Sequence, residues 1–137
     1  LYLIRLLIKS ASSSPYYKIL FMNNKIFLCN ISDLNIRDYS IYWVEELRDE
    51  VIVFKNQDNL IKVVSSICPH FGGEIFYNRK INKLKCKWHG WSFCPDSGKC
   101  LTFPIKSQLK IYDFTIEPNE LKTYSHISEN NKIYLEF

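Results

Sequence analysis

Histidine is scarce in this chain: among 137 residues there are three, His70, His89 and His126. Long apolar runs are missing too. The N-terminal stretch 1–8 is interrupted by Arg5, and a bilayer-spanning helix needs about 20 apolar residues, so no integral membrane segment is visible. That stretch reads as a strand or frayed arm of a chain that has lost its beginning. Helical periodicity is scarce, and there is no internal repeat or low-complexity tract. Charge of one sign is in short supply as well. With 18 basic and 14 acidic residues the net charge is +4, too small an excess to point to nucleic acid as a partner. What is abundant is hydrophobic and aromatic content, 47% and 15%. Those fractions at this length describe one globular domain around one core, with room for an extra arm.

Short β-branched and aromatic runs bounded by Asn, Asp and Gly dominate, which predicts an all-β domain of short antiparallel strands. Strands are expected at 16–21 and 25–31 around Asn23-Asn24, then at 41–46. A hairpin over 51–55 and 60–65 turns at residues 56–59. Further short strands fall at 76–77, 84–85 and 93, and at 100–102 beyond the turn Asp96-Ser97-Gly98. Runs at 111–116, 121–126 and 133–137 close the domain, with Asn130-Asn131 turning the last pair. The polar stretch 33–38 is the expected boundary between an N-terminal arm, residues 1–36, and the main domain, 37–137.

The chemistry concentrates in two pairs: Cys68-Pro69-His70, then Cys86-Lys87-Trp88-His89. Two thiolates and two imidazoles suit a [2Fe–2S] centre in which histidines replace cysteines on one iron. A four-ligand zinc site is the competing reading, since zinc also takes Cys and His. Its usual knuckle, however, separates the first two ligands by two to four residues, and here the separation is one. Coincidence, two buried thiols and two core histidines, is the third. Gly72, Gly73 and Gly90 beside both pairs argue against it, being suited to close backbone approach and to N–H donors aimed at sulfur.

The pattern resembles the Rieske family. Cys68-Pro69-His70-Phe71-Gly72-Gly73 is similar to that family's first cluster loop, and Cys86-Lys87-Trp88-His89-Gly90-Trp91 to its second. Residues 98–104, ending in Pro104, resemble its third, proline-bearing loop. The likeness is specific over 68–104 and extends as strand pattern over 40–137, whereas 1–36 carries no signature of it. The resemblance implies an all-β Rieske-like domain with a cluster-binding subdomain of two hairpin-like loops. It implies one [2Fe–2S] cluster per chain, with Cys68 and Cys86 on one iron and His70 and His89 on the other.

Function then reads as one-electron transfer between a reductase and an oxygenase-type partner. The alternatives are the N-terminal Rieske domain of a larger non-haem iron oxygenase, and a zinc-stabilised binding module. A mononuclear iron site needs two histidines and a carboxylate, and His126 is the one histidine left, so no complete catalytic site is expected here. The alternation Lys83-Leu84-Lys85-Cys86-Lys87-Trp88 places Leu84, Cys86 and Trp88 on an inner face and the lysines outside. That outer face is solvated or docks an acidic redox partner. Phe93 and Trp88 are expected in the core. Cys29, Cys94 and Cys100 remain, an odd number, which fits packed thiols in a cytoplasmic protein better than a secreted disulfide framework.

Overall fold

The computed structural model describes residues 24–70, 72–88, 90–102 and 120–136. Expectations for residues 1–23, for Phe71, His89, Phe103 and Pro104, and for a strand over 111–116 lie outside them. Among the described residues the strands form three antiparallel sheets. The first is ordered β1-β9-β8, from β1 (Lys25–Asn30), β9 (Lys132–Glu136) and β8 (His126–Glu129). The second runs β2-β3-β4, from β2 (Tyr39–Val44), β3 (Asp49–Lys55) and β4 (Ile61–Ser65). The third runs β5-β6-β7, from β5 (Ile75–Asn78), β6 (Lys83–Cys86) and β7 (Ser92–Phe93). No described helix is long and apolar enough to cross a membrane.

The central strand of the middle sheet, β3, is buried on both faces, which explains its continuous apolar run. Val51, Ile52, Val53 and Phe54 are each 0% exposed, and alternation sends them to opposite sides. Val51 and Val53 join Leu28, Cys29, Ile133 and Leu135 in one core. Ile52 and Phe54 join Ile75, Tyr77, Leu84 and Phe93 in the other, with Phe54 stacked on Tyr77 at 4.3 Å. Each such side chain contributes about 1.5–3 kcal/mol by leaving water. This second core includes Cys68 and Cys86.

Turn chemistry follows the asparagines. Asn130 and Asn131 both have positive φ, 50° and 63°, the pair of left-handed residues that a tight hairpin requires. The Asn56 side-chain oxygen accepts the N–H groups of Asp58 and Leu60, each at 2.9 Å, shaping the β3–β4 turn.

Two expectations need amending. The polar stretch 33–38 holds a short helix, α1 (Asp33–Ile36), whose Leu34 is buried. β1, placed with the arm, pairs with β9 from Lys25↔Glu136 to Asn30↔Lys132 and shares a core with Val51 and Val53. The strand expected at 121–126 begins only at His126. The residues before it lie along the edge of β4, through one bridge, Val64↔Thr123, and the bonds Ser65 N to Lys122 O and Tyr124 N to Val63 O.

Candidate metal centre

Cys68 follows β4, and the bridge Ile67↔Glu74 closes the loop it opens. Its N–H donates to the Gly73 carbonyl at 2.8 Å, and its carbonyl accepts from Gly72 N at 2.8 Å. Cys86, the last residue of β6, repeats this: its N–H donates to Trp91 O at 2.8 Å and its carbonyl accepts from Gly90 N at 3.0 Å. In both loops the glycine four residues after the cysteine has positive φ, 77° at Gly72 and 68° at Gly90, a conformation that costs other residues energy. The sequence predicts these N–H groups aimed at the sulfurs; in the structure those of Gly72 and Gly90 serve the cysteine carbonyls instead. Gly73 does permit close approach: a Cβ there would lie 2.7 Å from Cys86 Sγ.

Both thiols are buried, Cys68 at 1% and Cys86 at 2% exposure. His70, half-buried, is stacked on Trp91 with ring centroids 3.8 Å apart and planes 14° from parallel. Cys68, Cys86 and Trp91, on which His70 is stacked, all belong to the second core, while His89 lies outside the described residues. Among the described residues no three Cys, His, Asp or Glu side chains converge on a point that one metal ion would fill. A two-iron cluster asks for two protein ligands per iron, and two paired loops with buried thiols fit that demand.

Glu74 ties the loops together. Its carbonyl accepts Lys87 N–H at 2.9 Å, and its carboxylate accepts from Lys87 Nζ at 2.9 Å. The base of the first loop is held by polar groups that the sequence did not single out. Asp49 is buried and accepts hydrogen bonds from Ser65 Oγ at 3.0 Å and from the Tyr124 hydroxyl. Burial, then the bond to the Asp49 carboxylate, pushes the Tyr124 hydroxyl pKa far up from its ordinary value. Ser66, fully buried, donates to Glu50 Oε1 at 2.6 Å. Nothing in the sequence marks these acids, because their partners lie 16 and 75 residues away.

Phe93 is fully buried as expected, but Trp88 is 63% exposed. β6 ends at Cys86, so the alternation that placed Trp88 inside stops before reaching it. Cys94 and Cys100 do not form a disulfide. Cys100 pairs with Phe93 across the hairpin, which puts the neighbouring Cys94 on the opposite face.

The family model described as Rieske [2Fe-2S] domain matches residues 24–113. The chain belongs to the Rieske [2Fe-2S] domain family. Members bind a [2Fe–2S] cluster and transfer electrons with it. The match begins at residue 24 and so takes in β1 and α1, where the sequence alone showed no signature. The cholesterol 7-desaturase of Caenorhabditis elegans is 30% identical over 88 residues, which cover 61% of this chain and 19% of the desaturase. The chain thus spans about a fifth of the length of that relative. The plasma membrane Rieske protein PetC3 of Synechocystis PCC 6803 superposes with a TM-score of 0.64 at 21% identity, covering 82% of this chain and 99% of that one. The ferredoxin of carbazole 1,9a-dioxygenase from Nocardioides aromaticivorans IC177 gives 0.63 at 14% identity, covering 83% and 98%. These two likenesses concern the Rieske fold.

Proposed function

We propose that Cys68 and Cys86 hold one iron and His70 and His89 the other of a single [2Fe–2S] cluster. In this reading the chain carries single electrons between a reductase and an oxygenase-type partner. The observation that carries it is the pair of loops that each open on a buried cysteine, carry a histidine two or three residues later and close through a left-handed glycine. When bound, the cluster supplies reversible one-electron storage. Neutral imidazoles in place of two thiolates lower the negative charge that an added electron must join. The buried thiols keep water from the sulfur side, and Trp91 covers one face of His70. His126 is the one histidine outside this set, too few for a mononuclear iron held by two histidines and a carboxylate. The functional unit in this reading begins near Asn24 rather than at Arg37. Cys29, Cys94 and Cys100 are free thiols, which suits a cytoplasmic, reducing setting.

A second reading has its own support. The desaturase relative is about five times longer than the matched segment, so this domain also suits the N-terminal electron-entry part of a larger Rieske oxygenase.

The outer face of β6 supports an acidic partner. Lys87 is paired with Glu74, whereas Lys83 and Lys85 reach no carboxylate among the described residues. Lys83→Glu with Lys85→Glu should slow reduction by a protein donor severalfold at low ionic strength and little at high. Stopped-flow reduction across a salt series checks this, and equal rates return the lysines to a merely solvated face. The cluster-loaded chain alone should accept and donate electrons without hydroxylating any organic substrate. Oxygen-dependent turnover without an added component counts against the carrier reading.

A further inference from the structure

The loop opened by Cys86 reaches across to the loop opened by Cys68 through two indoles. Trp91 lies flat on His70, 3.8 Å between centroids, and is itself nine-tenths buried. Trp88 lies against Gly73: a Cβ at Gly73 would stand 2.9 Å from Trp88 Cγ and 3.0 Å from its Cδ2. Burial does not account for the position of Trp88, which stays 63% exposed. The contact with Gly73 does, and it needs a residue without a side chain there. Both indoles come from one loop and both land on the other, Trp91 on the His70 ring and Trp88 at Gly73, close to the Cys86 thiol.

We propose that Trp88 and Trp91 form an aromatic clasp across the two loops, in which Trp91 sets the plane of the His70 imidazole and Trp88 holds the loops closed beside Cys86. The proposal rests on the ligand reading above. An imidazole bound through one nitrogen is free to rotate about that bond unless a neighbour confines its plane, and a parallel indole does so. Orientation of a ligand ring by its surroundings in turn tunes the metal it binds. Trp91 is thus a positioning residue acting through His70. Trp88 positions the backbone of the first loop.

The test uses cluster-loaded, reduced protein, with pulsed EPR reading the nitrogen couplings of the two histidines. Trp91→Phe keeps a ring face and should load with both couplings unchanged. Trp91→Leu fills space without a ring face, and should either load with one coupling shifted or fail to load. Equal couplings in the Leu and Phe variants, or failure of the Phe variant to load, overturns the role of Trp91. For Trp88 the readout is the half-life of the visible absorption under a chelator. Trp88→Ala should shorten it about tenfold, the low end for outer-shell changes at metal sites. Trp88→Phe keeps a ring against Gly73 and should hold the half-life near that of the unaltered protein. An unchanged half-life in Trp88→Ala, or one equally short in Trp88→Phe, overturns the role of Trp88. Failure of the ligand reading is distinct, because the unaltered protein would then show no histidine nitrogen coupling at all.

Discussion

The loop from Cys94 to Lys99 closes with the same two hydrogen bonds as the loops opened by Cys68 and Cys86. Cys94 N donates to Lys99 O and Gly98 N donates to Cys94 O, both at 2.8 Å, and Gly98 has φ +74°. Three loops of one domain therefore share the same two closing hydrogen bonds, each with a left-handed glycine four residues after a cysteine. Their contents differ. The first carries His70 two residues after its cysteine, the second has His89 three residues after, and the third has Pro95, Asp96 and Ser97. Asp96 accepts from Asn56 Nδ2 at 2.9 Å and pairs with Lys62 at 3.6 Å, fastening that loop to the β3–β4 turn and β4. Burial pushes the Cys94 thiol pKa up, but hydrogen bonds from the Ser97 side chain and the Ser97 and Asp96 backbones outweigh it, and the net shift is down. The backbone prepares a cysteine. In the proposed reading the residues inside the loop decide whether it meets a metal or a neighbouring strand.

The largest effect expected from this contrast is in the cysteines themselves. Cys86→Ser should abolish the visible absorption and weaken the fold, since binding energy at a metal site is also folding energy. Cys94→Ser should keep the cluster and alter stability by no more than about 1 kcal/mol, because a hydroxyl accepts the same bonds. Absorption spectra and denaturant unfolding of the two variants check both statements.

The glycines give the next effect. Gly90→Ala meets nothing within 4 Å and pays only for a left-handed residue, about 1–2 kcal/mol. Gly98→Ala pays that and a collision as well, its Cβ falling 2.4 Å from the Leu121 carbonyl. It should therefore destabilise more than Gly90→Ala in parallel unfolding curves, and the reverse order would mean that the third loop yields easily.

Much of this was legible in the sequence. The two Cys/His motifs, the hairpin asparagines and the β3–β4 hairpin all rest on signals within a few residues of one another. The cross-loop position of Trp88 and the Asp49–Tyr124 bond were not, because each depends on which distant segment arrives. Alternation along β6 placed Leu84 and Cys86 correctly, then misled one turn later, where strand geometry had ended. Local composition likewise made 33–38 look like a linker, although Leu34 is drawn into the core by the segments around it.

The smallest expected effects separate the two ends by pH. Tyr124, whose hydroxyl bonds Asp49 at the base of the first loop, has a pKa raised above 10.0. The folded state then holds the proton more tightly than the unfolded one, so this contribution is full below pH 10 and is lost as pH rises beyond it. Near the third loop, His126 shares a pocket of about 380 Å³ with Lys62, Pro95, Asp96 and Glu136. Burial first, then Lys62, lowers its pKa below 6.5, against a smaller upward pull from Glu136. Its contribution is present above pH 6.5 and is lost as pH falls towards the lowered value. Unfolding as a function of pH should show an alkaline decline reduced by Tyr124→Phe and an acid decline reduced by His126→Gln.

The central claim is that two cysteines and two histidines of the paired loops share one [2Fe–2S] cluster, and it is tested most directly by low-temperature EPR of the dithionite-reduced protein, with iron, sulfide and zinc assayed on the same sample. The account predicts two irons and two sulfides per chain, a signal of low average g, and nitrogen couplings from two imidazoles. Stoichiometric zinc without iron or sulfide, or a reduced cluster showing no nitrogen coupling, would contradict it.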